Sequence, residues 1–293
     1  MTVRPFLLLT SAVLSLAQAP ALEPDPPTKC GPCDEWNRPL DPFRVYGNTY
    51  YVGTAGLTAV LVTSDAGHIL LDAGLPQSAP LIDASIRKLG FRTEDIRLIV
   101  NSHAHFDHAG GIAALQRVSG ATVAASEAGA RALRQGAPGP DDPQPNSDRY
   151  GPVENVKVIA DGEAVRVGPL AVTAHFTPGH TPGAASWTWR SCEGSRCLNV
   201  VYVDSLSAVS EDGFRFTASP SLVETFRRSI AVVEQLPCDV LLAPHPFAIA
   251  LEAKLAAMKK DKRVNPFIDA GACQAFAATQ RKALEARLAT EKP

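Results

Sequence analysis

The sequence predicts an α/β fold in which two β-rich halves, each ending in helices, pack their sheets together with the helices outside. Strand-like and helix-like segments alternate along the chain, and the alternation recurs in the second half. The composition provides for a large core, since 45% of the 293 residues are hydrophobic, 20% are charged and the net charge is -2. No linker, repeat or composition break divides the chain, so we expect one domain over residues 22–293. The sequence lacks the clustered basic residues of a nucleic-acid binder.

Residues 1–21 have the pattern of a signal peptide. A basic Arg4 precedes an apolar run over 6–16 that is too short to span a bilayer comfortably, and small residues suited to cleavage follow. We expect cleavage after Ala19 or Ala21, and a periplasmic or secreted protein without membrane attachment. The alternative is a buried N-terminal helix, which the proline-rich stretch that follows disfavours.

The first half of the remaining chain begins with apolar and β-branched stretches broken by glycine, which favours a meander of strands. These stretches are residues 49–54, 56–64 and 67–74. Residues 78–91 have apolar positions at helical spacing, with Gly90 as the stop signal. The continuous apolar run over 96–100 then predicts a strand that is buried on both faces.

The second half repeats this order of elements. We expect strands over residues 170–177, 183–190 and 198–204, followed by a helix over 221–236, a strand over 239–244 and closing helices from Leu251 and Ala270. His68 would lie in a solvated hairpin turn, and His175 would be a partly buried wall residue of a strand.

The six cysteines are even in number and fit disulfides in an oxidising compartment. We predict the bridges Cys192–Cys197 and Cys238–Cys273, with Cys30–Cys33 as a third pair. A thioredoxin-type redox motif at Cys30 would end a strand and open a helix, and the stretch around it is too rich in proline for either. A four-cysteine zinc site would require loops far apart in the sequence to converge.

The segment NSHAHFDHAGG, residues 101–111, crowds four metal-capable side chains into six positions: His103, His105, Asp107 and His108. It follows the predicted buried strand, so these side chains should project from a rigid edge into a cleft. One metal ion cannot use all four sensibly, and the segment therefore predicts two adjacent ligand sets.

Two further histidines can complete these sets. His180 and His245 both follow strand-like runs and are both flanked by Pro or Gly, which fix the backbone and allow its close approach to a ligand. His68 and His175 are interpreted as structural, because a lone histidine is usually not a ligand.

These residues resemble the metallo-β-lactamase superfamily. His103, His105, Asp107 and His108 form its H-x-H-x-D-H motif. Asp72 before this motif, and His180, Asp204 and His245 after it, occur in the order that the superfamily uses, so that the resemblance spans about residues 45–250. It implies an αβ/βα four-layer sandwich with two zinc ions per chain. The first zinc would be held by His103, His105 and His180. The second would be held by Asp107, His108 and His245, with Asp107 also acting in catalysis.

The donor types suit that chemistry. Neutral imidazoles suit zinc, and three protein ligands per metal leave a position open for water. Two zinc ions can lower the pKa of a shared water toward ~7 and polarise the carbonyl of a substrate. The resemblance therefore implies hydrolysis by a metal-bound hydroxide without a covalent enzyme intermediate.

Within the superfamily, the exported, cysteine-paired chain and its segment DSLSAVS look like the subclass B3 β-lactamases. The resemblance implies that hydroxyls of Ser205 and Ser207 hold the substrate carboxylate, and two such residues on one strand would face the same way. Gln144 would add a polar contact from the loop after the helix near residue 134. The expected partner is a small-molecule β-lactam, and the expected state is a monomer.

The sequence is also compatible with two other functions. Glyoxalase II-like thioesterases place a metal-bridging aspartate at the position of Asp204, and a one-residue slip would turn Asp204 rather than Ser205 toward the metals. A thioesterase or lactonase is therefore the alternative function. A zinc-binding module without catalysis is a further alternative, which open coordination positions disfavour.

Overall fold

The computed structural model describes residues 22–291, in which two β-sheets lie at the centre of the molecule. The predicted signal peptide lies outside these residues. The first sheet has seven strands: β1 (Phe43–Tyr46), β2 (Thr49–Tyr51), β3 (Val60–Val62), β4 (His68–Leu71), β5 (Ile96–Val100), β6 (Thr122–Ala125) and β7 (Val156–Val158). The second sheet has five strands: β8 (Ala164–Val167), β9 (Leu170–Phe176), β10 (Ala185–Glu193), β11 (Arg196–Tyr202) and β12 (Val240–Leu242).

The α-helices connect the strands and cover the sheets. They are α1 (Cys33–Trp36), α2 (Ala79–Lys88), α3 (Phe106–Ala109), α4 (Ile112–Ser119), α5 (Glu127–Gln135), α6 (Pro220–Gln235), α7 (Leu251–Lys260) and α8 (Ala272–Thr290). Helices α2, α6, α7 and α8 begin within two residues of their predicted positions, because the apolar spacing that defines them is local. Within residues 22–291 we find no helix with both the length and the apolarity needed to cross a bilayer.

The first sheet changes from antiparallel to parallel pairing at β4. Strands β1 to β4 form the predicted meander, whereas β4, β5, β6 and β7 run parallel, with α2 between β4 and β5 and α4 between β5 and β6. Leu71 of β4 pairs with Val100 of β5. The carboxyl ends of these two strands are therefore adjacent, and the segments that follow them leave the same edge of the sheet.

The second sheet is antiparallel from β8 to β11, and β12 joins β11 in parallel after the crossover helix α6. Tyr202 pairs with Leu242 at the carboxyl ends of β11 and β12. The segments that follow β11 and β12 therefore also leave their sheet side by side at one edge.

Successive side chains of each strand point to opposite faces of the sheet, and this divides the core into layers. Val60, Leu71 and Val100 of the first sheet share one buried cluster with Trp187 and Val200 of the second sheet. Side chains from the other face of the first sheet pack against α2, α4 and α5: Leu70, Ile99, Val123, Ile82, Ile86, Leu115 and Leu133. Helices α6 and α8 pack together and cover the second sheet. The predicted four-layer αβ/βα sandwich is confirmed.

Three disulfides are present, and all six cysteines are paired as predicted: Cys30–Cys33, Cys192–Cys197 and Cys238–Cys273. The proline-rich stretch around the first bridge nevertheless contains α1, although the sequence predicted no helix there. The prediction for His68 is also wrong. This residue begins β4, is only 7% exposed and packs against Phe91, because the turn that precedes it ends at Gly67.

Candidate metal centre

Side chains from several chain segments meet at the shared edge of the two sheets. The loop after β5 and the short α3 bring His103, His105, Asp107 and His108, the loop between β9 and β10 brings His180, and the segment after β12 brings His245. Each segment follows or joins strands whose apolar side chains are buried in the core, so the backbone beneath the polar side chains is held rigidly.

The polar side chains form two adjoining groups of metal-capable atoms. Donor atoms of His103, His105 and His180 all lie within 4.8 Å of one another. In the second group, Asp107 Oδ2 lies 3.2 Å from His108 Nε2 and 3.4 Å from His245 Nε2. His103 is also within 4.8 Å of Asp107 and His108, which places the two groups side by side. The structure thus brings together all six residues that the sequence singled out.

The donor set fits divalent metal ions of the zinc type. His103 Nε2 and both ring nitrogens of His108 are buried without a hydrogen-bond partner among the described residues. A buried polar atom that lacks a partner is costly, and a bound cation would satisfy the nitrogen lone pairs that face the centre. Imidazole and carboxylate groups in sets of three are typical of zinc sites with an open position.

Contacts at the ring nitrogen that faces away from the centre orient three of the histidine rings. His103 Nδ1 is hydrogen-bonded to the hydroxyl of Ser102 at 3.2 Å and also lies 2.9 Å from Asp204 Oδ1, a contact without hydrogen-bond geometry. His180 Nδ1 lies 2.9 Å from the carbonyl oxygen of Ser207. Both rings therefore direct Nε2 toward the centre. His105 is reversed, because its Nε2 lies 3.2 Å from Asp142 Oδ1, and this leaves Nδ1 for the centre. Partners on the outer nitrogen that fix ring and tautomer are the usual surroundings of metal-binding histidines.

Asp72 connects the two sheets beneath the centre. Its Oδ1 accepts hydrogen bonds from Asn101 Nδ2 at 2.9 Å and from the backbone N–H of Ser102 at 2.7 Å. Its Oδ2 accepts bonds from the hydroxyls of Ser102 at 2.6 Å and Tyr202 at 2.7 Å. Since Asp72 and Ser102 belong to the first sheet edge and Tyr202 to β11, this fully buried carboxylate is a polar junction between the sheets.

The electrostatics keep His103 and His180 neutral. Burial, together with the neighbouring imidazoles, holds the pKa of His103 well below its usual range and lowers the pKa of His180 to about 3. Neutral imidazole is the form that binds a metal. Burial alone would raise the pKa of Asp107, but His108 and His245 hold it well below the usual value, so this residue supplies a negative charge.

Asp204 and Ser205 occupy different environments. Asp204 is fully buried against His103 and belongs to neither donor group, whereas Ser205 is half-buried. Ser205, Ser207 and His245 line a mainly apolar cavity of about 580 Å³. The carboxylate is thus placed behind the ring of His103, which argues against its lying between two metal ions.

The prediction that Ser205 and Ser207 share one face of a strand is wrong. Strand β11 ends at Tyr202, and Leu206 between the two serines has a left-handed backbone with φ +46°. Both serines line the same cavity from the loop that follows β11, so strand alternation does not account for their placement.

Gln144 lies half-buried in the loop between α5 and β7, where its backbone N–H donates to Asp142 Oδ1 at 2.8 Å. No described contact joins its side chain to either donor group. His175 is partly buried as predicted, and its Nε2 lies 2.9 Å from the hydroxyl of Thr188, away from the centre.

Three residues near the centre were missed by sequence reasoning. Asp142 is 4% exposed and contacts His105, whereas the family resemblance suggested only substrate contacts for its loop. Trp36 and Phe247 flank the ring of His245, with ring centroids 5.2 and 5.4 Å away, and Phe247 is 79% exposed. The large aromatic beside His245 in the segment HPF was a usable signal for Phe247, while nothing local pointed to Trp36, which lies far away in the sequence.

Known proteins resemble this chain over most of its length. A sequence model of the metallo-beta-lactamase superfamily matches residues 53–188. A hydroxyacylglutathione hydrolase from Anaeromyxobacter dehalogenans (strain 2CP-C) is 30% identical over 222 residues, which is 74% of this chain and 71% of that protein. Of the solved structures, the Rm3 metallo-beta-lactamase is 51% identical with a TM-score of 0.88, over 91% of this chain and 100% of its own. MEM-A1, a subclass B3 metallo-beta-lactamase isolated from a soil metagenome library, is 49% identical with a TM-score of 0.84, over 87% of this chain and 98% of its own.

Proposed function

Because this chain belongs to the metallo-beta-lactamase superfamily, we propose that it is a subclass B3 type enzyme that hydrolyses the lactam amide of penicillins, cephalosporins or carbapenems with two zinc ions. The convergence of His103, His105 and His180 beside Asp107, His108 and His245 is the observation that carries the proposal. Identity to the Rm3 enzyme and to MEM-A1 at about half of the aligned positions supports the choice of substrate.

In this proposal the first zinc is held by His103 Nε2, His105 Nδ1 and His180 Nε2. The second is held by a carboxylate oxygen of Asp107 together with His108 and His245. When bound, the metal ions supply Lewis acidity, which lowers the pKa of a water molecule and polarises the lactam carbonyl. The assignment of nitrogen atoms follows from the contacts of the opposite ring nitrogens of His103, His105 and His180.

The side chains have separate tasks around that chemistry. Asp107 stays ionised, and with Oδ2 against His108 and His245 its Oδ1 can accept a hydrogen bond from the attacking water and orient it. The hydroxyls of Ser205 and Ser207 bind the carboxylate of the substrate at the cavity that they share with His245. Gln144 adds a polar contact once its loop meets the substrate.

A thioesterase or lactonase is the second candidate, and the similarity to a hydroxyacylglutathione hydrolase favours it. The position of the Asp204 carboxylate distinguishes this candidate from the β-lactamase. A bridging aspartate would need its carboxylate between the donor groups, whereas Asp204 Oδ1 lies against the outer nitrogen of His103. A zinc-binding module without catalysis is a third possibility, in which no reaction would be lost with the metal.

Turnover of defined substrates tests the proposal. The zinc-loaded protein is expected to hydrolyse a penicillin and a carbapenem, to lose this activity to a chelator, and to be unaffected by acylating agents directed at serine. Hydrolysis of S-lactoylglutathione or an acyl lactone, with no hydrolysis of any β-lactam, would overturn the proposal in favour of the second candidate. Absence of any turnover by a zinc-replete protein would favour the binding module.

We further propose that the protein acts as an exported monomer in the periplasm. The three disulfides and the signal-like residues 1–21 support export. Fractionation of expressing cells, with peptide mapping of the new N-terminus, is expected to find the mature protein in the periplasm beginning at Pro20 or Leu22. Size-exclusion chromatography with light scattering is expected to give the mass of one chain.

A further inference from the structure

We propose that Asp142 is a positioning residue that holds the ring of His105 with its proton on Nε2 and thereby presents Nδ1 to the first metal ion. The inference rests on the proposed metal binding and is independent of the substrate. It assigns a role to a buried carboxylate in a loop for which the family resemblance suggested only substrate contacts.

The contacts of Asp142 determine the tautomer of His105. Asp142 is 4% exposed, and its Oδ1 lies 3.2 Å from His105 Nε2. A carboxylate can only accept hydrogen bonds, so the ring nitrogen that faces it must carry the proton. The lone pair of the neutral imidazole then lies on Nδ1, which is the atom available to a metal.

His105 needs such a partner because it is oriented opposite to its neighbours. His103 and His180 contact Asp204 and Ser207 through Nδ1 and face the centre with Nε2. The ring of His105 stands nearly perpendicular to both, with interplanar angles of 88° and 76° and centroids 5.0 Å away. Rotation of this ring would replace the metal-facing nitrogen with a carbon atom or a protonated nitrogen, which cannot bind a metal.

The loop that carries Asp142 is itself anchored to two other segments of the chain. The hydroxyl of Tyr150 donates to the carbonyl of Ala104 at 2.9 Å, next to His105 in the chain. The backbone N–H of Glu211 donates to the carbonyl of Pro143 at 3.0 Å, and the N–H of Gln144 donates to Asp142 Oδ1. Asp142 is therefore held in place before a metal binds, as a positioning group requires.

Asp142→Asn and Asp142→Ala test this role, and Asp141→Asn is the matched control. Asp141 carries the same charge one residue away and is exposed, so it shares the long-range field of Asp142 but has no contact with His105. Zinc affinity is measured by competition with a chromophoric chelator, and the geometry of the centre is followed in the visible spectrum of the cobalt-substituted protein. The thermal midpoint of the metal-free protein reports folding.

We expect Asp142→Ala to weaken binding of the first zinc by roughly 10–100-fold and to change the cobalt spectrum. Asp142→Asn keeps an acceptor oxygen and the shape of the side chain, so it should retain part of the affinity and remain folded even if the alanine variant does not. Asp141→Asn should match the unsubstituted protein. Unchanged affinity and an unchanged cobalt spectrum in Asp142→Asn and in a folded Asp142→Ala variant would overturn the inference.

These readouts separate the inference from the proposed function. A protein that binds zinc normally but hydrolyses no β-lactam would refute the substrate assignment and leave the role of Asp142 to be decided by the metal measurements. An unsubstituted protein that binds no zinc would overturn both.

Discussion

The junction at Asp72 yields a quantitative prediction for the substitution Tyr202→Phe. The change removes one hydroxyl, which donates to Asp72 Oδ2 at 2.7 Å, and keeps the buried ring. Burial raises the pKa of Asp72, but each of its two oxygens accepts two hydrogen bonds, and these bonds stabilise the ionised form. A hydrogen bond to a charged group contributes about 1.5–3 kcal/mol to stability.

Loss of this hydroxyl should therefore lower the free energy of unfolding by about 2 kcal/mol. The loss should stay below the ~3–5 kcal/mol of a fully unpaired buried charge, since the donors from Asn101 and Ser102 remain. For a domain of this size the same change corresponds to a fall in the thermal midpoint of roughly 3–4 °C.

Tyr46→Phe is the matched control. The hydroxyl of Tyr46, a residue that is also buried, donates at 3.0 Å to a neutral acceptor, the carbonyl of Arg196. Its removal should cost only about 1 kcal/mol. Both variants are compared by urea denaturation of the metal-free protein at neutral pH. Equal losses in the two variants, or no loss in Tyr202→Phe, would refute the view that Asp72 is a charged junction between the sheets.

Three further predictions concern the C-terminal helix, a disulfide and the cavity beside the metal centre. Burial alone would raise the pKa of Glu291, but hydrogen bonds from Arg287 and the backbone of Thr217 lower it to about 2. The ionised Glu291 carboxylate therefore stabilises the fold above pH ~4.5, and this stabilisation is lost as the pH falls toward 2. Glu291→Gln should thus lower the free energy of unfolding by about 1–2 kcal/mol at pH 7 and by less at pH 3. The control Glu285→Gln breaks an exposed ion pair with Arg227 and should change this free energy little. Equal effects of Glu291→Gln at both pH values would contradict the prediction. Replacing both Cys238 and Cys273 with serine should lower stability by about 2–4 kcal/mol in denaturant titrations, because their bridge joins residues 35 positions apart, and an unchanged midpoint would show that it does not constrain the unfolded chain. Ser205→Ala should raise the KM for a penicillin roughly tenfold with little change in kcat, because it removes one hydroxyl proposed to bind the substrate carboxylate, and steady-state kinetics with an unchanged KM would remove Ser205 from that role.

Local patterns in the sequence predicted most of the fold. The apolar run over 96–100 becomes strand β5, and Gly90 ends the region of α2, because strand burial and helix termination depend on neighbouring residues. The same strand led to the expectation that the histidine-rich loop leaves a rigid sheet edge, and β5 ends at Val100, directly before this loop. His180 and His245 were found because Pro and Gly mark their loops in the sequence itself.

Features set by long-range packing were not predicted. Asp142 contacts His105 across 37 positions of chain, and Trp36 reaches His245 from the N-terminal segment, so no local spacing could reveal either contact. The left-handed backbone of Leu206 was missed because an aliphatic residue rarely adopts that conformation, and continued strand alternation was assumed instead. His68 was assigned to solvent from the turn signal before it, although packing against Phe91 buries it.

The central claim is that six separated side chains hold two metal ions that the protein uses to open a β-lactam ring. Its most direct test is a titration of the metal-free protein with zinc while the hydrolysis of a penicillin is followed. We predict no hydrolysis without zinc and a rate that rises to a plateau at about two zinc ions per chain. A hydrolysis rate that is independent of added zinc, with no zinc bound, would contradict the account.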